Sequence, residues 1–385
     1  MWNKRLQSAR ALSALQQGAI LALVAGAFYL LVVNASDNLD ALGIASGFDF
    51  LKERAGYAIS FHLIDYTPND TYFRAYLVGL INTLLVSGLS IALATLCGVF
   101  LGVCRVSDNW LLGRLSYLAV EFLRNVPLIV HLIWWYGLML ALPNVRQAIS
   151  LFDVGYLSNR GLTLAWANDG SLVGWGLLCA VGGGATGYAL MARYRAGLAW
   201  KGFGPPVWPA IFIGAIVLPV IVYLLSGSHW QWDVPVSRGF GFSGGVNLTP
   251  ELMALWLALS FYSASYIAEI VRGSIQSVSR GQYEAAHALG FSEMPTMFRL
   301  IVPQAIYPMI PQVTSTYLNI IKNSSLGVVV GYMELVSSTG GTTLNQTGQA
   351  IECIALVMAT YCVFSLITSL LMNFYNYRVS LRTHG

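Results

Sequence analysis

Eight apolar runs, at about 17–33, 76–104, 115–142, 171–191, 207–225, 250–271, 304–333 and 350–376, constrain this chain more than any other feature. A helix of roughly 20 apolar residues crosses the ~30 Å hydrocarbon core of a bilayer, and backbone inside that core must satisfy its own hydrogen bonds. The runs are therefore predicted as eight transmembrane helices, and the fold class as an all-α polytopic membrane protein. Of the 385 residues, 56% are hydrophobic and only 10% charged, where a soluble domain carries about 25% charged residues; the mean hydropathy is +0.63. Eight spans of ~20 residues leave room for loops but not for a large soluble enzyme domain as well.

Basic residues orient such a chain, because they stay on the cytoplasmic side of short loops. With the N-terminus inside, the cytoplasmic segments collect Lys4, Arg5, Arg10, Arg105, Arg114, Arg193, Arg195, Lys201, Arg272, Arg280, Arg299, Arg378 and Arg382. The opposite side holds Lys52, Arg54, Arg74, Arg146, Arg160 and Arg238. Both termini are predicted cytoplasmic. The apolar run after Arg10 is long and shows no clear small-residue cleavage site, so it reads as an uncleaved first helix. The 21 basic against 17 acidic residues, with no basic run interleaved with aromatics, argue against nucleic acid as a partner. Cys97, Cys104, Cys179, Cys353 and Cys362 lie in apolar runs without C-x-x-C spacing and read as small apolar fillers, with no metal site expected.

External loops at roughly 34–75, 143–170 and 226–249 mix aromatics with Gly, Asp and Asn, a composition suited to docking an external partner. Gly98 and Gly102 in the second run, and Gly182, Gly183, Gly184 and Gly187 in the fourth, are predicted to let helices approach closely. The most informative stretch runs from Arg272 to Ala305, RGSIQSVSRGQYEAAHALGFSEMPTMFRLIVPQA, between the sixth and seventh runs. Gln282–Leu289 has helix-forming composition, Gly290 stands where a C-terminal cap belongs, and Ser292 begins a second helix with Pro295 in its first turn. An exposed helix of about eight residues is only ~12 Å long and marginal alone, so a cytoplasmic partner is expected to order it.

This stretch resembles the signature of the membrane-spanning permease subunits of bacterial ABC importers: E-A-A, three residues, G, nine residues, then I-x-L-P. Here Glu284, Ala285 and Ala286 are followed by Gly290 and then by Leu300, Ile301, Val302 and Pro303. NTLLVS from Asn82, EFLRNVPLIV from Glu121, YIAEIVRGSI from Tyr266 and LNIIKNSSL from Leu318 are similar to the polar amino-acid permeases of the histidine, glutamine and glutamate type. The extra first helix, the insertion at 143–249 and GQAIE at Gly348–Glu352 look like the larger permeases of general L-amino-acid uptake systems.

The resemblance implies a type I importer core in two parts, 76–142 and 250–377. Around it lie an N-terminal helix with external loop (1–75), a two-helix insertion (143–249) and a cytoplasmic tail (378–385). It implies that 282–290 is a coupling helix fitting a cleft in an ATP-binding subunit, with Glu284, Ala285, Ala286, Gly290 and Pro303 carrying the contact. It further implies a second permease subunit, identical or paralogous, a periplasmic amino-acid-binding protein, a multi-pass location among the lipids of the bacterial inner membrane, and no cofactor. No G-x-x-x-x-G-K-[ST] loop occurs, so ATP would be hydrolysed by another chain.

A route for zwitterions needs polar groups in a low-dielectric wall, where a charge costs ~3 kcal/mol at a helix centre. The candidates are Glu121, Arg124 and Asn125, with Pro127 loosening the next turn; Tyr262 and Ser265, with Ser263; and Lys322, Asn323 and Ser324, which interrupt an apolar run. Glu121 with Arg124 reads equally as an ion pair bracing a helix end, and Glu269 with Arg272, which can both reach water, reads chiefly as such a pair. Relatives often carry an acidic residue at the position of Asn323. His131 reads as a helix-packing hydrogen bonder.

An ion-coupled secondary transporter for amino acids is the alternative, but it has no need of the Glu284-to-Pro303 pattern. Gly241, Ser243 and Gly245 satisfy G-x-S-x-G, yet no later span offers a histidine base and a glycine turn accounts for them better. One intramembrane histidine, His131, is thin support for haem.

Overall fold

Thr71 opens the first long span: its side chain accepts the Arg74 N–H, and helix α2, Tyr72–Arg105, then runs 34 residues. That is ~51 Å of helix, longer than the hydrocarbon core. The computed structural model describes residues 2–41, 47–152, 154–167, 179, 182–191, 213–214, 216–221, 232–237 and 241–383. The chain divides into two compact units, Met1–Ile133 with Leu255–Gly385, and Trp134–Ala254.

In the first unit α1, Trp2–Ala41, precedes α2, and its apolar stretch Gln16–Leu31 is exposed on every side. Helix α3, Trp110–Asn125, starts at Asn109, whose side chain accepts the N–H groups of Leu111 and Leu112. Helix α4, Leu128–Leu140, follows at an angle of 103° to α3. Pro127 explains the break, because it has no N–H to give the Leu123 carbonyl four residues back. Helix α5, Pro250–Gln276, has proline at its first position, and the Thr249 hydroxyl accepts the Leu252 N–H. The short helix α6, Arg280–Ala288, and the long helices α7, Val302–Asn323, and α8, Ala350–Thr383, follow.

Among the described residues α2, α5 and α8 as far as Phe374 are long and apolar enough to cross a membrane, and α3 with α4 makes a fourth if the bent pair is one span. Two of the eight expected spans take another form. The 115–142 run is broken at Val126–Pro127 rather than continuous. The 304–333 run is α-helical only to Asn323, after which Ser324–Val330 tightens into a 3-10 helix that ends at Gly331, φ +82°. Both differences follow from sequence that overall hydropathy does not weigh: a helix-breaking proline in one and a Ser-Ser-Leu-Gly stretch in the other. Parts of the runs 171–191 and 207–225, and all of Arg193, Arg195, Lys201 and Arg238, lie outside the described residues.

The helices of the first unit meet through small residues. A Cβ on Gly98 would lie 2.6 Å from the Cβ of Ile267 and 2.9 Å from the Ala264 carbonyl; one on Gly102 would lie 2.6 Å from the Cβ of Val271. The glycines thus bring α2 against α5, as read from the sequence. Residues 47–71, within the expected external loop 34–75, carry their own core: Phe50, Ala55, Ile59 and Tyr66 are buried with Tyr72, Ala75, Val78 and Cys353. Asp70 closes the turn before α2 by accepting both the N–H and the hydroxyl of Thr67, and these bonds hold its carboxyl below the usual carboxylate range.

The second unit holds strands that a reading of helices and loops alone does not anticipate. β1 (Ile149–Leu151), β2 (Gly155–Ser158), β3 (Gly161–Leu164) and β4 (Val246–Leu248) form an antiparallel sheet in that order. Leu162 lies opposite Leu248 and Leu164 opposite Val246. Gly244 and Gly245, both at positive φ, turn beside Asp233, whose carboxylate accepts the Gly245 N–H at 2.9 Å. The G-x-S-x-G stretch is thus a glycine turn feeding β4. In the same unit Gly183 and Gly214 pack backbone to backbone, each leaving no room for a Cβ on the other.

Candidate functional site

Helix α6 stands between α5 and α7 as a short projecting element. Its inner face is Tyr283 and Ala286: Ala286 is buried, and Tyr283 packs on a cluster containing Ile275, Ile301 and Ala305. Burial, with the Glu293 carboxylate second, pushes the Tyr283 phenol above its usual range, so it stays neutral. The opposite face is bare. Glu284 and Ala285 are exposed, and Leu289, Met294 and Phe298 are 76%, 67% and 57% exposed. Apolar side chains held this far from their own core are what a covered surface looks like before it is covered.

The end of α6 is fixed by backbone chemistry. Gly290 adopts φ +80°; its N–H donates to the His287 carbonyl at 2.9 Å, and the Phe291 N–H donates to the Ala286 carbonyl at 3.0 Å. This pair of bonds is a Schellman cap, and it needs the left-handed residue that glycine supplies without strain. Beyond it Ser292 precedes the turn Glu293–Thr296, which runs through a π-helical segment, Met297–Ile301, into α7 with Pro303 in its first turn. His287 Nε2 approaches Glu293 Oε1 at 3.4 Å across the cap.

A second polar locus is a cavity of about 510 Å³ lined by Arg124 and Asn125 of α3, Tyr266, Glu269 and Ser274 of α5, and Gln312 and Thr316 of α7. Glu121 holds its α3 neighbours from behind, 3.5 Å from Arg124 and accepting the Asn125 amide at 3.2 Å. Glu269 is gripped from two helices: Arg105 of α2 donates to it at 2.5 Å, and Arg272 donates through Nε at 3.1 Å and also through Nη2. Carboxylate, guanidinium, amide and hydroxyl together can hold a small zwitterionic solute.

The sequence candidates are divided between loci. Arg124 and Asn125 line the cavity, Tyr262 shares a 3.0 Å hydroxyl contact with Tyr266, and buried Ser265 donates to the Tyr262 carbonyl at 2.6 Å. Lys322, Asn323 and Ser324 do not line it. Lys322 is exposed, Asn323 is half-buried at the end of α7, and Ser324 is fully buried, donating to the Ile321 carbonyl at 2.7 Å.

Sequence reading also missed Glu334, which is fully buried. Its carboxylate accepts the N–H groups of Val336 and Ser337 at 2.8 Å each and the Tyr361 hydroxyl at 3.2 Å. The available signal was a lone acid just beyond an apolar run, followed by Leu-Val-Ser-Ser.

Residues 94–382 match the model of a family described as "Binding-protein-dependent transport system inner membrane component". The chain is 46% identical to the putative amino-acid ABC transporter permease protein YhdX of Escherichia coli, over 94% of this chain and 93% of that one. It is 41% identical to the general L-amino acid transport system permease protein AapQ of Rhizobium johnstonii, over 94% and 90%. With the glutamate/glutamine/aspartate/asparagine transport system permease protein BztB of Rhodobacter capsulatus it shares 39% identity over 94% and 92%.

Proposed function

Because the chain belongs to the family of binding-protein-dependent transport system inner membrane components, we propose that it imports L-amino acids as one half of a translocation pathway, coupled to ATP hydrolysis through the loop at 282–303. It is a permease subunit of an amino-acid ABC transporter, a membrane transport subunit and not an enzyme. The family works with an ATP-binding subunit and a substrate-binding protein.

The observation that carries the coupling role is the Schellman-capped helix α6, whose outer face, with Glu284, Ala285 and Leu289, is exposed. Glu284, Ala285, Ala286, Gly290 and Pro303 form this contact: Ala286 seats the helix, Gly290 ends it, and Glu284 and Ala285 face the ATP-binding subunit. The cavity bounded by Arg124, Asn125 and Glu269 is the cytoplasmic part of the amino-acid route, with Glu121 behind it and Tyr262 and Ser265 one turn further along. Lys322 and Asn323 lie on a separate stretch of that route. The full assembly holds two ATP-binding subunits, a second permease subunit, identical or paralogous, and a periplasmic binding protein. It sits in the bacterial inner membrane with both termini of this chain cytoplasmic. Sequence kinship to permeases of general and acidic-amide amino-acid systems supports a broad polar amino-acid range.

Glu284→Lys tests the coupling role. Uptake by the assembled transporter is expected to fall about tenfold or more with membrane abundance unchanged; normal uptake at normal abundance removes the assignment.

A further inference from the structure

Glu334 is a buried acid that the translocation cavity does not use; two of its donors, Val336 and Ser337, are local, and the third, Tyr361, stands on α8. It ends the tight turn after Gly331 and caps the π-helical segment Val336–Thr343 by accepting two of its first N–H groups. Around it, Thr83 of α2 accepts the Leu335 N–H at 3.1 Å, and Asn82 donates to the Met333 carbonyl at 2.9 Å. Tyr361 of α8 donates to Glu334 and lies 3.3 Å from the Ser324 hydroxyl at the end of α7. From the other side Tyr57 of the 47–71 segment donates to the Ser338 carbonyl at 3.3 Å and sits 3.0 Å from the Thr343 hydroxyl.

The 333–343 segment that this carboxylate caps thus meets α2, α8 and the N-terminal 47–71 segment, and through Tyr361 it reaches Ser324 at the end of α7. Helix α7 is ~33 Å long, and it joins this node to the loop carrying α6 at its other end. A buried, fully donor-satisfied carboxylate gives a segment one arrangement, and losing a partner leaves desolvated groups unpaired. We propose that Glu334 is a positioning residue for transport, locking the 335–343 segment to Tyr361 and α7 so that a change at the outer segment reaches the 282–303 loop. This rests on the permease reading above.

The test uses the tagged chain purified with its ATP-binding partner, comparing basal ATPase with the rate after adding amino-acid-loaded binding protein. Glu334→Asp keeps an excellent helix cap but withdraws the carboxylate from Tyr361; Tyr361→Phe removes the same bond from the other side. Both are expected to leave complex yield and basal ATPase unchanged while binding-protein stimulation falls about fivefold or more, and the double variant is expected to be no worse than either single one. Full stimulation in both single variants overturns the proposal, since it leaves Glu334 a cap alone. Parallel loss of yield and basal rate overturns it as well, marking a folding role. If the unsubstituted chain brings down no ATPase, the permease reading itself falls, and this inference with it.

Discussion

The His131 imidazole lies 3.0 Å, through Nε2, from the carbonyl of Leu123, the group that Pro127 strips of its helical donor. A carbonyl can only accept, so Nε2 carries the proton in this contact. His131 is buried, with Phe122 and Tyr262 packed edge-on and tilted against its ring. The side chain therefore staples the 103° bend between α3 and α4.

His131→Ala should leave the part-buried Leu123 carbonyl without this partner, at a cost of about 1 kcal/mol. The thermal midpoint of the detergent-purified protein is expected to drop, and an unchanged midpoint would show that the staple contributes nothing.

Gly98→Ala and Gly102→Ala should each destabilise by ~1–3 kcal/mol, because the added methyl meets Ile267 or Val271 and a backbone carbonyl of α5. Gly88→Ala in the same helix meets nothing within 4 Å and should stabilise by ~0.5–1 kcal/mol. Equal effects at all three positions would contradict the close α2–α5 contact.

Much of this was legible beforehand. The place of Gly290 after a helix-forming stretch marks it as a cap, and the three-residue spacings Glu121–Arg124 and Glu269–Arg272 mark pairs. Local rules sufficed there because the partners are one helical turn apart. Arg105 as the second partner of Glu269 was not legible, since 164 residues separate them and only the α2–α5 packing brings them together. Glu334 was hidden for the same reason, its hydroxyl donor standing on a different helix. The bend at Pro127 was half legible: proline announced a weak turn, but its angle depends on what His131 finds to bond.

Gly290→Ala should cost ~1–2 kcal/mol through its left-handed backbone alone, since a Cβ there meets open space. Asn tolerates that conformation better, so Gly290→Asn should retain more uptake than Gly290→Ala. The reverse order would mean that the glycine is needed for room against a partner.

Arg105→Met leaves Glu269 with one guanidinium, and the Arg105 side chain is only 8% exposed. The loss should fall well short of the ~3–5 kcal/mol of a fully buried broken pair, because Glu269 is partly wet and keeps Arg272. A double-mutant cycle with Glu269→Gln reads the coupling; additive effects would dissolve the pair.

The measurement that bears most directly on the permease assignment is ATPase activity co-purifying with the tagged chain, followed as amino-acid-loaded binding protein is added. The expected result is an ATPase whose rate rises with the loaded binding protein and loses that rise in Gly290→Asp. No co-purifying ATPase, together with ion-dependent uptake by the purified chain alone, would contradict it and leave a secondary transporter in its place.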